Sequence, residues 1–465
     1  MSPRTSDPAH VFLWVFLPGA TEPVVAGVVA PARTSAGLTF QYGDSYLARP
    51  DAIALGPHLA LGTDVHSAHP VWGMPLTIRD AMPDSWGQKV IQHTLGVDSE
   101  TRVPDIRMML ASGSDRVGAL DFQAESHTYV PRIGQASLEI LADGAARVQD
   151  DEDLTGELRQ AVRNSMATPG GAQPKAFVHA GGRQWLAKFT VRTDTEPLIK
   201  AEAAAIILAG EVGITVPRHQ LITMGAHGDI LLTERFDRTS DGGRRQVVSG
   251  YTVAESTDRV GSYPELVDRM RQRAAEPTLV GPEIFRRLAF LMVVRADDDH
   301  LRNTSAFWDG HALSFTPAYD LSPFMGAGTS MTQTRIGTDG DRRFNLGALL
   351  THRASYGLSE PEASEIMNSV ISAVDDGRHD AAEQARMTST ERRLFFGALL
   401  RPEIMEGLPQ TIVIGRAAGS DPGEAVVRHQ IAPQPSYTGR CGKPRGGGKG
   451  PCRRRVGLDG CPYHG

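Results

Sequence analysis

The stretch Arg295-Ala-Asp-Asp-Asp-His-Leu-Arg-Asn303 places three consecutive carboxylates, a histidine and an amide in one short loop, and Asp320 follows beyond the segment Ala312-Leu-Ser-Phe. Asp298 and Asn303 enclose four residues. A kinase catalytic loop keeps that spacing between the Asp that accepts the substrate hydroxyl proton and the Asn that holds Mg²⁺. Asp299 leaves only three residues before Asn303 and Asp297 leaves five, so spacing selects Asp298 as base. Asp320 stands where a second Mg²⁺-binding carboxylate would lie across a hairpin. Phosphoryl transfer needs this division of labour: one group orients the nucleophile while metal ions neutralise charge on the phosphates. A solvated acidic turn capping a helix is the plain alternative, and Asn303 with Asp320 weighs against it. His300 has two readings, a structural histidine bonding the loop backbone, which is favoured, or a participant near the nucleotide and nucleophile. Zinc on His300, Asp298 and His311 is chemically conceivable, with no further residue supporting it.

A second cluster supplies what a nucleotide would need. The turn Gly170, Gly171, Ala172, Gln173, Pro174, Lys175 has strand-like segments on both sides. Two adjacent glycines allow backbone N–H groups to approach phosphates, and Lys188 on the next strand can reach the α and β phosphates. In Trp185-Leu-Ala-Lys-Phe189 the two-residue period puts Trp185, Ala187 and Phe189 on a packing face and Lys188 on the other, toward a cleft. The turn lacks Walker A spacing, and Gly448-Lys449 is followed by Gly450 where Ser or Thr is required, so a P-loop NTPase is not supported.

The elements that must hold these residues can be read around them. Residues 11 to about 65 form short strands broken at Pro18-Gly19, Pro31-Ala-Arg33 and Gly43-Asp44. Helices are expected over Pro83–Leu95, Ile106–Ala111 and about Asp153–Ser165, with a strand at Gly118–Phe122. A helix from about Pro197 to Val212 carries Glu202, and Ile230–Arg235 is an apolar strand. From Pro282 the pattern turns helical, with Ile284, Phe285, Leu288, Leu291 and Met292 on one face. Ser359 and Glu362 form a capping box before Ile366, Met367, Val370, Ile371 and Val374. The expected division is an N-terminal α+β unit over 1–150, a small strand-rich lobe over 151–238, a helical lobe over 239–415, and a linker and tail over 416–465.

Composition bounds the rest. The 465 residues carry 48 Lys and Arg against 54 Asp and Glu, and 40% are hydrophobic, enough for a globular core. The net charge of −6 divides unevenly: from Ile431 onward seven basic residues face one acid, a +6 tail beside a −12 body. All three cysteines lie in that tail, which excludes a disulfide-stapled secreted fold. Cys441, Cys452, Cys461 and His464 offer a structural zinc set with Arg453-Arg-Arg455 between them. The basic surface could meet nucleic acid; the other reading is a basic tail with incidental cysteines. Val11–Leu17 is too short to span a bilayer and lacks a signal-peptide flank. A cytoplasmic protein without membrane partners is expected.

In this order, the motifs resemble the HipA serine/threonine kinases, toxins of bacterial toxin–antitoxin pairs. The resemblance runs from about residue 10 to about 400 and includes Met82-Pro-Asp-Ser-Trp-Gly87, Gly113-Ser-Asp-Arg-Val-Gly-Ala-Leu120, Glu234-Arg-Phe-Asp-Arg238 and Pro317-Ala-Tyr-Asp320. It implies a protein-kinase-like bilobal α+β fold with an added N-terminal subdomain, and ATP and Mg²⁺ as cofactors. Asp298 would be the base and Asn303 and Asp320 the Mg²⁺ ligands. Residues 170–175, Lys188 and His300 would contact ATP, with Glu234, Arg235 and Phe236 forming the hinge beside adenine. Glu202 would be the ion-pair partner of Lys188. Thr168 matches a family serine whose autophosphorylation ejects the glycine turn. The resemblance further implies a protein Ser/Thr substrate in translation, such as an aminoacyl-tRNA synthetase, and a DNA-binding helix-turn-helix antitoxin of HipB type as partner. The alternative is a catalytically silent nucleotide-binding module that holds a partner protein and DNA.

Overall fold

A computed structural model describes residues 8–33, 36–168, 170–191, 196–326 and 331–409. All belong to one compact unit, Met1–Ala425. Cys441, Cys452, Cys461 and His464 lie outside the described residues.

Strands β1 (Val11–Val15), β2 (Val24–Pro31), β3 (Leu38–Tyr42) and β4 (Leu120–Gln123) form an antiparallel sheet in the order β3-β2-β1-β4. The β1–β2 hairpin turns at Gly19, whose φ of +78° favours glycine. Five helices complete the unit: α1 (Asp44–Leu47), α2 (Leu76–Asp80), α3 (Ser85–Leu95), α4 (Asp105–Ala111) and α5 (Leu138–Gln149). Helix α6 (Gly156–Met166) then leads to the glycine turn. Helix α5 was not foreseen. Ser137 caps it by accepting the Ile140 N–H, and Leu141, Ala145 and Val148 are buried along one side. Gly144 interrupts that apolar pattern because a Cβ there would lie 2.4 Å from a Val162 methyl, so α5 and α6 approach too closely for a side chain.

The second sheet contains β5 (Lys175–Ala180), β6 (Arg183–Phe189), β7 (His219–Thr223) and β8 (Asp229–Glu234), ordered β5-β6-β8-β7. Lys188 pairs with Lys175 on one side and Leu231 on the other. The alternation foreseen in β6 holds: Trp185, Ala187 and Phe189 are buried in a core shared with the N-terminal unit. Burial of an apolar side chain of this size contributes about 1.5–3 kcal/mol, so the outer face of this sheet is welded to the preceding subdomain. The other face carries Lys188 toward helix α7 (Leu198–Glu211).

A third sheet, β9 (Gln246–Ser249), β10 (Ser305–Trp308) and β11 (Leu313–Phe315), has β10 at its centre. The remainder is helical: α8 (Gly250–Ala254), α9 (Tyr263–Arg271), α10 (Pro277–Val294), α11 (Leu346–Thr351), α12 (Glu360–Gln384) and α13 (Ser389–Ala398). Helix α10 begins at Pro277, earlier than the expected Pro282, which lies inside it, and ends at Arg295 in a left-handed C-cap with φ +62°. The Ser359–Glu362 capping box opens α12 as expected. The result is a bilobal, kinase-like α+β fold whose acidic loop leaves the end of the buried helix α10. Among the described residues, no helix is long and apolar enough to cross a membrane.

Candidate active site

The end of α10 fixes the start of the acidic loop, and the β10–β11 hairpin returns the chain to it. Within the loop the Asn303 N–H bonds the His300 carbonyl at 2.8 Å, and the Asn303 amide nitrogen lies 3.4 Å from the Asp298 carbonyl. The Tyr319 hydroxyl donates to the Arg302 carbonyl at 2.6 Å, so the residue before Asp320 is tied to the loop it must face. Asp320 itself has φ +58°, a strained backbone for a non-glycine residue.

These elements enclose a cavity of about 580 Å³ lined by Ala172, Gln173, Pro174, Lys175, Asp298, Asn303 and Asp320, together with Trp86 and Lys89 of α3. Beside it, the Lys188 ammonium donates to Glu202 Oε1 at 2.6 Å and to Asp320 Oδ1 at 2.5 Å. The Ser322 hydroxyl holds the other Glu202 oxygen at 3.1 Å. Burial disfavours the Lys188 charge, yet Asp320 and Glu202 outweigh it and raise its pKa. Burial likewise opposes the Asp320 charge, and Lys188 and Lys175 outweigh it to hold Asp320 below the ordinary carboxylate range. For Lys175 burial prevails and the pKa is lowered. Its ammonium lies beneath the turn, 2.5 Å from where a Gly171 Cβ would stand, so only glycine, at φ +93°, fits over it.

Asp298 shows the opposite tendency. The cleft desolvates it, which outweighs the opposing effect of His300, and Asp320 and Asp297 add repulsion, so its pKa is raised. Gln333 donates to Asp298 Oδ1 at 2.8 Å, leaving the second oxygen without a protein partner among the described residues. Asp299 points away from the cavity: it is buried, accepts the Tyr263 hydroxyl, and is pushed by burial up to about 6.

Several expected placements need correction. The Nδ1 atom of His300 is buried without a hydrogen-bond partner, so that nitrogen does not bond the loop backbone as the favoured reading required. The ring lies close enough to Asp298, Asp299 and Asp320 to favour their charged forms. Among the described residues no group of three or more His, Cys, Asp or Glu side chains could hold a metal, and His311 is exposed on the β10–β11 turn, so zinc on His300, Asp298 and His311 does not assemble. Arg235 does not extend beside the cavity. Its guanidinium is sealed between Asp115 at 2.5 Å and Asp237 at 2.8 Å and stacks on Phe177. Glu234 is engaged by Arg183 at 2.5 Å and Arg218 at 3.3 Å. Phe236 packs against Phe307 and against Tyr319, next to Asp320.

Trp86 was quoted only as part of a motif, yet its N–H bonds the Gly171 carbonyl at 3.0 Å and its indole donates to the Lys175 carbonyl at 3.1 Å. Thr168 is 5% exposed and donates its hydroxyl to the Asp115 carbonyl at 2.6 Å. The first N-terminal motif therefore holds the glycine turn through Trp86, which was the available signal, and the second holds Thr168 just before it through the Asp115 main chain.

The sequence over residues 21–123 matches the HipA N-terminal domain, and residues 167–377 match the HipA-like C-terminal domain. The chain belongs to the HipA family. Toxin YjjJ of Escherichia coli K12 is 26% identical over 289 residues, covering 57% of this chain and 63% of that relative's length. The HipA fold extends further than the identity does. HipA of Shewanella oneidensis MR-1, solved with HipB and its operator DNA, aligns with a TM-score of 0.62 at 16% identity, over 82% of this chain and 94% of that one. The Helicobacter pylori proinflammatory kinase CtkA aligns at a TM-score of 0.40 and 10% identity, over 49% of this chain and 85% of that one.

Proposed function

We propose that this HipA-family chain is an ATP- and Mg²⁺-dependent protein kinase that phosphorylates Ser or Thr. The observation that carries the reading is convergence: Lys188 paired with Glu202, together with Asp320, Asn303 and Asp298, meet around one cavity beneath a glycine turn. A purely structural cluster would spend its hydrogen-bonding capacity internally, whereas here Asp298 and Lys175 keep atoms directed into the cavity.

Lys188 and Lys175 would bind the phosphates, with the turn at residues 170–175 over them. The donors facing the cavity from Asn303 and Asp320 are hard oxygens, a set that suits Mg²⁺ completed by nucleotide phosphates and water. Bound there, Mg²⁺ would neutralise charge on the β and γ phosphates. The unpartnered oxygen of Asp298 would accept the hydrogen bond of the substrate hydroxyl. As the hydroxyl oxygen of the substrate attacks the γ-phosphorus and the bond to the β–γ bridging oxygen breaks, the hydroxyl proton would pass to Asp298 and ADP would leave. The cleft raises the Asp298 pKa, which makes it a better proton acceptor. Phe236, beside Tyr319, would form one wall of the adenine site.

A toxin acting on a protein of the translation machinery, such as an aminoacyl-tRNA synthetase, and held by a HipB-type antitoxin on DNA, is the biological setting we propose; the HipA–HipB–operator assembly of the structural relative supports its antitoxin and DNA part. Zinc in the Cys441, Cys452, Cys461 and His464 tail, and its contact with nucleic acid, belong to the same proposal, as does a cytoplasmic location. Thr168 is the proposed self-phosphorylation site, and its buried hydroxyl must first leave Asp115. Mass spectrometry after incubation with ATP should find phosphate on Thr168; an unmodified residue would remove this part. The kinase reading is tested by transfer of labelled γ-phosphate to a protein acceptor, and its absence with any acceptor, the chain itself included, would overturn it.

A further inference from the structure

Asp84 occupies the N-cap position of α3, where an aspartate ordinarily turns its carboxylate onto the first free N–H groups of its own helix. Here the side chain makes no capping bond. It is turned away from its own helix and shared by two arginines, with the glycine turn packed against it. Arg79, on α2, donates to Asp84 Oδ1 at 2.9 Å. Arg302, within the acidic loop, lies 3.2 Å from the same oxygen. The Gly171 backbone N–H helps to hold the carboxylate in its charged form, and a Cβ on Gly170 would stand 3.1 Å from Asp84 Oδ2. Burial raises the cost of this charge, and Arg302 and Arg79 outweigh it, so the group stays ionised.

The surroundings make the tie rigid. Two residues on, the Trp86 N–H and indole hold the carbonyls of Gly171 and Lys175, at opposite ends of the turn. Asp80, four residues before Asp84, is half-buried and accepts from the Ser249 N–H at 2.8 Å and the Thr252 hydroxyl at 2.6 Å, anchoring α2 to the start of α8. Arg302 has further support from the Trp72 ring. A carboxylate that gives up its own helix cap to join a turn over the phosphates with the loop that carries Asp298 and Asn303 is placed to set the distance between them.

We infer that Asp84, which lies outside both kinase lobes, is a positioning residue that fixes the glycine turn and the catalytic loop relative to each other. The N-terminal subdomain is thereby part of the frame of the active site. This rests on the kinase reading for its catalytic consequence, but the tie itself is physical and can be measured without turnover.

The test compares the full chain with Asp84→Asn, Arg302→Gln and the double variant. Asn keeps the size and an acceptor oxygen but loses the charge that Arg302 and the Gly171 N–H share. Hydrogen–deuterium exchange should quicken at residues 170–175 and 298–303 in Asp84→Asn, and only at 298–303 in Arg302→Gln. In phosphoryl transfer, Asp84→Asn should raise KM for ATP and lower kcat, each by about 10–100-fold, because misplacement on the scale of 1 Å has that effect. Arg302→Gln should lower kcat alone, and the double variant should be no worse than Asp84→Asn. A residue serving only stability would leave kcat and KM unchanged at temperatures where the chain is folded. Wild-type exchange at both segments in Asp84→Asn, or additive losses in the double variant, would overturn the inference. If Asp84→Asn does not fold, Arg302→Gln reads the tie from the kinase side: unchanged exchange at 298–303 would count against it. If the wild type transfers no phosphate, the kinase reading fails while the exchange comparison still decides whether the tie exists.

Discussion

Asp115, Asp237, Arg235 and Arg238 form one buried charge cluster; Lys175, Lys188, Glu202 and Asp320 form another, with the same balance of two acids and two bases. They differ in what is left over. In the first, Arg235 donates to Asp115, to both oxygens of Asp237 and to the Arg116 carbonyl, Arg238 joins the same acids, and the Gly118 N–H completes Asp237 at 2.8 Å. In the second, the Lys175 ammonium has no hydrogen-bond partner among the described residues, and the nearby His300 Nδ1 and one Asp298 oxygen are also unmatched. Buried polar groups are nearly always satisfied, so a cluster closed on itself is a fastening and one with open capacity is a place for a ligand.

The sharpest way to break the comparison is to open the closed cluster. Asp115→Ala leaves Arg235 and Arg238 short of one carboxylate in a buried setting, a change that costs about 3–5 kcal/mol. Chemical denaturation of the full chain should show a loss of that size; near-wild-type stability would mean the cluster is not the fastening between the N-terminal region and the HipA-like C-terminal domain.

A second, smaller effect concerns Asp299, next to Asp298, the proposed base, yet turned into the core. Its pKa of about 6 lies above that of an unfolded aspartate, so its neutral form is favoured in the fold. Its stabilising contribution is present in acid and is lost as pH rises through about 6. Asp299→Asn should therefore gain stability relative to wild type between pH 4 and pH 7, by up to about 3 kcal/mol. A stability difference constant over that range, measured by urea denaturation, would contradict the assignment.

The smallest effect should come from an exposed pair. Arg183, paired with Glu234, is 45% exposed at its side chain, and Arg183→Ala should alter stability by less than about 1 kcal/mol. A larger loss would show that the strand end near the proposed hinge depends on this pair more than its exposure implies.

What could be read from the sequence follows the same division. Local signals were sufficient for the β1–β2 hairpin, the alternating face of β6, the Ser359 capping box, and the four-residue gap that puts Asn303 near Asp298. Helix α5 was hidden because Gly144 breaks its apolar face, a glycine required only by contact with Val162. The closed cluster was invisible for a different reason: Gly118 and Asp237 are 119 residues apart, and such ties leave no periodicity. Arg235 was assigned to the hinge by position along the chain, but strand geometry turned its side chain toward Asp115. Asp84 and Trp86 stood in a recognisable motif whose partners became evident only when the glycine turn was seen resting on it.

The central claim is that the open cluster transfers phosphate. It is tested most directly by single-turnover transfer of labelled γ-phosphate from ATP with Mg²⁺, comparing wild type with Asp298→Asn at matched folding and over a range of pH. The predicted result is transfer by the wild type that declines in acid as Asp298 protonates above the usual aspartate value, and a loss of about 10²–10⁴-fold in Asp298→Asn with nucleotide binding retained. Equal transfer by the two proteins, or none by either, would contradict it.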